Sequence, residues 1–269
     1  MKKLTTLKIK KNKIKKDCMP LQMLTCYDYQ TARMLSETEV DMLLVGDSLG
    51  NVVLGYDTTV EVTLDEMKVF GAAVRRGAPE KFIVVDLPFG TYSTLESGLK
   101  NAIELFQYTK ADALKLEGAF PHQLEIVSRL AQTGIPVMGH LGLTPQSVFE
   151  LGGYYTHGKS DASAKKLIAE ARALQDAGAF SIVLECVTSD LATKITDMLT
   201  IPTIGIGSGE LTDGQVLVIN DLLHLGPDRP PKFCTPIAHM YDLKKKYINE
   251  YLSCNKAPFV ENQPPLPLQ

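Results

Sequence analysis

LLVGDSLG (Leu43–Gly50) sets the problem that decides the fold. Four uncharged residues, Leu43 to Gly46, read as a short buried strand that runs straight into Asp47. Burying a carboxylate is costly unless it is paired or bound to a metal. The same arrangement recurs along the chain. It is found in LQMLTCYD (21–28), DMLLVGDS (41–48), KFIVVDLP (81–88), DALKLEGA (112–119), IPVMGHLG (135–142), FSIVLECV (180–187) and IPTIGIGS (201–208), and more weakly in QVLVINDL (215–222). Each is a short β-rich apolar run, and most follow Gly, Pro or Asp, which turn the chain into a strand.

Helical patterns lie between these runs. TLESGLKNAIELFQYTKA (94–111) spaces Leu95, Leu99, Ile103 and Phe106 as one helical face, with Ser93 or Thr94 as N-cap. DASAKKLIAEARALQDAGA (161–179) reads as a helix capped by Asp161 and closed at Gly178. FPHQLEIVSRLAQTG (120–134) and TSDLATKITDMLT (188–200) follow the same rule. Strand alternating with helix implies a parallel sheet. Eight repeats in 269 residues predict a single-domain α/β fold, a (β/α)8 TIM barrel. A doubly wound open sheet is the runner-up. The expected limits are 1–255 for the catalytic barrel, with a basic N-terminal helix, and 256–269 for a Pro-rich tail. The long connection from Asp47 to Lys81 is expected to hold a loop over the site as well as a helix.

Composition narrows the function classes. A net charge of −3 offers no general attraction to nucleic acid or anionic membrane. The five cysteines include no C-x-x-C pair, so neither a disulfide framework nor a zinc site is expected. The first sixteen residues carry eight lysines and no apolar run after them, which reads as a solvated basic helix rather than a secretory signal. No segment has the run of about 18 apolar residues that spans a bilayer. A cytoplasmic location is expected.

The polar residues that end the strands carry the chemistry. In a parallel barrel all strand C-termini face one rim, where active sites of this fold are built. Tyr27, Asp28, Asp47, Ser48, Asp86, Lys115, Glu117, His140, Glu185 and the glycine turn 205–209 all fall there. Side chains alternate along a strand, so Lys115 and Glu117 share a face. By the same rule Asp47 is grouped with Val45, Asp86 with Val84, His140 with Met138 and Glu185 with Val183. Converging carboxylates repel, and a hard divalent cation such as Mg2+ would relieve them, so Asp47, Asp86 and Glu117 are candidate ligands. Helix capping is the plain alternative for each. Lys115 fits an anion-binding ammonium or a structural ion pair. His140 suits a core or a functional role equally. Glu185, after an apolar run, fits a base raised by burial, or else a salt-bridge partner of Lys115 or an arginine.

TCYDYQTA, LLVGDSLGNVVLGYDTT, VVDLPFGTY, LKLEGA, GHLGLTPQS, GGYYTHGKS, LECV and IGIGSGELTDGQVLVINDLL occur together and in order. This set resembles the ketopantoate hydroxymethyltransferase family over roughly residues 5 to 250. The resemblance implies a (β/α)8 barrel and Mg2+, with 5,10-methylenetetrahydrofolate as co-substrate. The implied reaction is hydroxymethyl transfer to 3-methyl-2-oxobutanoate, giving 2-dehydropantoate for pantothenate synthesis. It also implies metal contacts at Asp47, Asp86 and Glu117, keto-acid contacts at Asp47, Ser48, Asp86 and Lys115, and Glu185 as proton acceptor. A homo-oligomer, commonly a decamer, is implied as well. The chain departs from the family pattern at Ala119, at Tyr155 and in its C-terminal segment. Two rival readings are a Mg2+-dependent lyase or mutase of the phosphoenolpyruvate mutase/isocitrate lyase type, and a non-catalytic barrel that binds a keto acid.

Overall fold

A computed structural model describes residues 3–14 and 19–254. Helix α1 (Thr6–Ile14) leads into β1 (Leu21–Thr25), α2 (Tyr29–Ser36) and β2 (Met42–Val45). Then follow α3 (Leu64–Gly77), β3 (Phe82–Asp86), α4 (Leu95–Thr109), β4 (Ala113–Glu117), α5 (Pro121–Gln132) and β5 (Val137–Gly142). A short turn of helix, α6 (Val148–Leu151), precedes α7 (Asp161–Asp176), β6 (Ser181–Glu185), α8 (Ser189–Met198), β7 (Thr203–Ile206) and β8 (Gly214–Leu217). The eight strands pair in parallel in sequence order, and β8 closes back on β1. The fold is the (β/α)8 barrel, not the open sheet.

Period-two alternation fills the barrel interior. Met42, Leu44, Phe82, Val84, Ala113, Met138, Val183, Ile204 and Val216 belong to one buried cluster. Register sets Leu44 beside Val84 and Val84 beside Ala113. The expected parity therefore holds in β3, β5 and β6, where Asp86, His140 and Glu185 continue the inward face. It fails in β2. There the inward residues are Met42 and Leu44, and Val45 lies outside the cluster. Asp47 follows the strand in a tight turn, in which Leu49 N–H donates to Gly46 O and Gly50 N–H to Asp47 O. The turn, not strand alternation, brings the aspartate over the barrel.

The basic N-terminal helix is not a purely solvated one. Ile9 of α1 is fully buried in the same cluster as Leu21, Phe82 and Phe180. Lys13 Nζ pairs with Asp213 Oδ2 at 2.9 Å and donates to Thr196 O. Asp213 Oδ2 also accepts from Thr203 N at 2.8 Å. Thr203 opens β7 and Asp213 precedes β8, so α1 seals the end of the barrel opposite the strand C-termini. Lysine stems can lie along apolar surface while their charged ends reach partners or water. Ile9→Ala is expected to cost about 2–5 kcal/mol in urea unfolding, the range for a fully buried aliphatic side chain. An unchanged unfolding midpoint would show that the seal carries no stability.

Helix faces also differ from the expected ones. The buried residues of α4 are Gly98, Ala102, Leu105 and Thr109, while Ile103 is exposed. A Cβ on Gly98 would meet Ile126 Cδ1 of α5 at 2.5 Å. Neighbouring barrel helices approach through small residues, and spacing judged on large side chains alone misses that seam. The N-cap of α4 is Thr94, as expected, but α7 is capped by Ser160, whose Oγ accepts from Ser163 N at 3.3 Å, rather than by Asp161. The long connection after β2 holds two tight turns, and the second (Thr59–Glu61) packs against the turn Pro145–Ser147 that follows β5.

The chain divides into two compact units at 219/220. The first contains the whole barrel. In the second, Tyr241 N donates to His224 O at 2.9 Å, and the rings of His224 and His239 meet edge-on at 5.3 Å. A short helix, α9 (Ile219–Leu223), spans the boundary, and α10 (Met240–Cys254) buries none of its residues. The Pro-rich tail 256–269 lies outside the described residues. Among the described residues no helix is long and apolar enough to cross a membrane, and Cys26, Cys186, Cys234 and Cys254 are free thiols.

Candidate active site

Strand ends bring the predicted residues together. Asp86 closes β3, Lys115 and Glu117 lie on β4, His140 on β5 and Glu185 at the end of β6. Asp86 sits beside Lys115, and Glu117 beside His140, in the strand register. Lys115 Nζ is 3.1 Å from Asp86 Oδ2, and the same oxygen accepts the backbone N–H of Asp47 at 3.1 Å. Ser48 Oγ hydrogen-bonds Tyr27 OH at 2.8 Å. His140 bridges two carboxylates, with Nδ1 3.2 Å from Glu117 Oε1 and Nε2 3.3 Å from Glu185 Oε2. Neither contact is aligned as a hydrogen bond, so the attraction is chiefly one of charge. Gly142 is what lets Glu185 come so near. Its φ is +94°, and a Cβ there would lie 2.2 Å from Glu185 O.

Capping is not the role of these acids. Among the strand-end aspartates only Asp28 caps a helix, accepting Thr31 N at 2.8 Å, and it leaves the catalytic group. Glu185 is less buried than expected, with 18 % of its side chain exposed. Its partner is His140 rather than Lys115 or an arginine.

Burial and crowding set the charges. Burial pushes Asp47 well above the usual carboxylate range, and the negative charges of Asp86 and Glu117 push it further, against Lys115 and a hydrogen bond from Gln146. Burial also raises Asp86, while Lys115 restrains it. Lys115 is itself lowered by burial, yet Asp86, Glu117 and Asp47 outweigh that and hold it above its ordinary value as an ammonium. For His140, burial and Lys115 pull downward, but the contacts with Glu117 and Glu185 prevail and raise it from 6.5 to about 9. A group raised in the folded state stabilises the fold below its unfolded value, and that contribution fades as pH climbs through the folded one. The Tm gap between the parent protein and His140→Gln, measured in EDTA, is therefore expected to narrow from pH 6.5 to pH 9. A gap that stays constant over that window would show that His140 is not an imidazolium.

Two residues escaped the sequence reading. Gln146 follows β5 and Tyr92 follows β3. Gln146 Nε2 donates to Asp47 Oδ2 at 2.7 Å, its backbone N–H donates to Glu117 Oε2 at 3.1 Å, and Tyr92 OH donates to its Oε1. Both lie in the quoted segments GHLGLTPQS and VVDLPFGTY. Neither ends a strand, since β3 closes at Asp86 and β5 at Gly142, so asking what ends each apolar run does not reach them.

The donor set suits a hard cation. Asp86 Oδ1 is buried with no hydrogen-bond partner among the described residues, an orphan that a cation would satisfy. Among the described residues the cationic groups beside Asp47, Asp86, Glu117 and Glu185 are Lys115 and His140, so a divalent cation would balance the charge. Both Glu117 oxygens already face Gln146 N or His140. Among the described residues no three His, Cys, Asp or Glu side chains are spaced as a closed metal centre. Glu117 Oε1 is a second buried carboxylate oxygen with no hydrogen-bond partner among the described residues, so Asp47, Asp86 and Glu117 are the residues that could hold such an ion. A cleft of about 610 Å3 opens beside Glu117, lined among others by Phe89, Tyr92, Phe120, Gln146, Tyr155 and Lys166.

Comparison with known proteins bears on this group. The chain is 50 % identical over 242 residues to 3-methyl-2-oxobutanoate hydroxymethyltransferase of Bacillus cereus (strain G9842), covering 90 % of this chain and 87 % of the relative. It is 46 % identical over 239 residues to the enzyme of that name from Coxiella burnetii (strain CbuK_Q154), covering 89 % and 90 %. Among solved structures, 2,3-dimethylmalate lyase matches with a TM-score of 0.62 at 14 % identity, over 96 % of this chain and 88 % of that one. Phosphoenolpyruvate phosphomutase from Streptomyces platensis subsp. rosaceus matches with a TM-score of 0.63 at 9 % identity, over 93 % and 87 %. Such distant likeness speaks for the barrel alone. Residues 3–258 match the family described as ketopantoate hydroxymethyltransferase, so with these relatives the chain belongs to the ketopantoate hydroxymethyltransferase family of transferase enzymes.

Proposed function

We propose that the protein transfers a hydroxymethyl group from 5,10-methylenetetrahydrofolate to 3-methyl-2-oxobutanoate, forming 2-dehydropantoate. The observation that carries this reading is the convergence of Asp47, Asp86, Lys115, Glu117 and Glu185 at one barrel rim, in a chain whose relatives bear the enzyme's name. Asp47, Asp86 and Glu117 would hold Mg2+. When bound, the ion supplies a Lewis acid for the keto acid's oxygens.

The chain's own residues supply the remaining steps. Lys115, kept as an ammonium by its carboxylate neighbours, attracts the anionic substrate. Ser48, steadied by Tyr27, offers a hydroxyl to the substrate carboxylate. Glu185 takes the C3 proton, and His140 holds that carboxylate in place from behind. One of the two bonds from the methylene carbon to the folate nitrogens opens to leave an iminium, and carbon C3 bonds to that carbon. The second carbon–nitrogen bond then breaks as water provides the hydroxyl group, the C3 proton and one proton of the water passing to the two folate nitrogens. The cleft beside Glu117 has the size of a small-molecule site and supports a place for the folate.

A turnover assay with 3-methyl-2-oxobutanoate tests the reading. Product is expected only with both folate and divalent metal, and EDTA should abolish it. Folate-independent cleavage of a 2-oxo acid would favour the lyase or mutase alternative, and binding without turnover the non-catalytic barrel. The same reading places the protein in the cytoplasm, where free thiols such as those of Cys26 and Cys186 persist. It also makes it a homo-oligomer. The exposed Tyr247, Ile248, Tyr251 and Leu252 of α10 support association, and light scattering would measure it.

A further inference from the structure

We propose that Gln146 is a positioning residue for this reaction, held by Tyr92, and that the pair fixes the direction in which Asp47 presents its carboxylate. The inference rests on the reading that Asp47 faces the metal and the keto acid.

Gln146 lies on the turn Pro145–Ser147 and is only 6 % exposed. Its side-chain amide has two N–H donors and uses both. One reaches Asp47 Oδ2 at 2.7 Å, and the other reaches Leu87 O at 3.0 Å. Its Oε1 accepts from Tyr92 OH. Its backbone N–H donates to Glu117 Oε2 at 3.1 Å. One residue therefore ties together the ends of β2, β3 and β4 from a loop beyond β5.

The orientation of the amide follows from its partners. Turned over, its oxygen would face Asp47 and the Leu87 carbonyl, two acceptors with no proton to offer. Tyr92 enforces the observed sense. Its hydroxyl accepts Glu117 N–H at 3.3 Å, which leaves its own proton to point at Gln146 Oε1. A neutral amide also adds no charge to a rim already crowded with carboxylates. A glutamate at this position would place a further acceptor against Asp47.

Gln146→Met keeps the length of the side chain and removes its hydrogen bonds. Three measurements are made on the full-length protein. Electron paramagnetic resonance of free Mn2+ gives metal affinity without substrate, thermal melting gives stability, and steady-state assays give kcat and KM. Mn2+ affinity is expected to fall about 10–100-fold, the usual cost of losing a partner behind a metal ligand. The loss in kcat should accompany it, with Tm shifted by only a few degrees. Tyr92→Phe should weaken Mn2+ binding severalfold while leaving Gln146 in place. The double variant should be no worse than Gln146→Met alone, because Tyr92 acts through the amide. Should Gln146→Met fail to fold, Tyr92→Phe carries the test.

Mn2+ affinity within about twofold of the parent, in whichever variant folds, would overturn the inference. Fully additive losses would remove Tyr92 from it. A parent protein that binds no Mn2+ would instead overturn the metal reading on which the inference stands.

Discussion

Glutamine at position 185 is expected to leave keto-acid binding nearly intact while lowering kcat by about 10²–10⁴, the span usual for a lost general base. The substitution keeps the shape of the side chain and removes its charge toward His140 Nε2. On the proposed function Lys115, Asp47 and Asp86 bind the substrate and the metal, and the substitution leaves all three unchanged. The direct readout is exchange of the C3 hydrogen of 3-methyl-2-oxobutanoate with deuterated water, followed by NMR without folate. The parent should catalyse that exchange and Glu185→Gln should not. Exchange at the parent rate would remove Glu185 from the role. His140 would then be the next candidate, with Nε2 3.3 Å from Glu185 Oε2 and Nδ1 3.3 Å from Lys115 Nζ.

Asp86→Ala is expected to abolish metal-dependent turnover and also to weaken the fold. Asp86 and Lys115 are both buried and lie 3.1 Å apart. Removing one partner of such a pair strands the other charge, which typically costs about 3–5 kcal/mol. The loss should be read by urea denaturation, and Lys115→Met in the same chain should recover part of it. The double variant should remain inactive, because its stability is repaired but its site is not. An Asp86→Ala protein as stable as the parent would show that Lys115 finds another partner or gives up its proton.

Much of this architecture was readable before any coordinates. The eight strands follow from short apolar runs, most of them with turn residues before them. The rim residues follow from asking what ends each run. Alternation failed at Asp47 because β2 stops at Val45, and a turn beyond a strand has no period to extrapolate. The face of α4 was misjudged because its packing seam is made of Gly98 and Ala102, residues with little hydrophobic weight. Gln146 was invisible as a participant because its importance lies in its bonds to Asp47, Leu87 and Tyr92, which are distant in sequence. The lysine-rich start concealed Ile9, since charge count describes the surface of a short helix and says nothing about a residue it buries.

The seal beneath the barrel has a consequence in time. Lys13 meets Thr196 and Asp213 across separations of 183 and 200 residues, and Asp213 is also the acceptor for Thr203 at the start of β7. Such distant contacts come only after the intervening chain has been ordered. Helix α1 therefore has no complete dock until the last strands pair. Closure of the final strand against the first and capture of this helix are then one event, in which the two ends of the barrel's chain are ordered together.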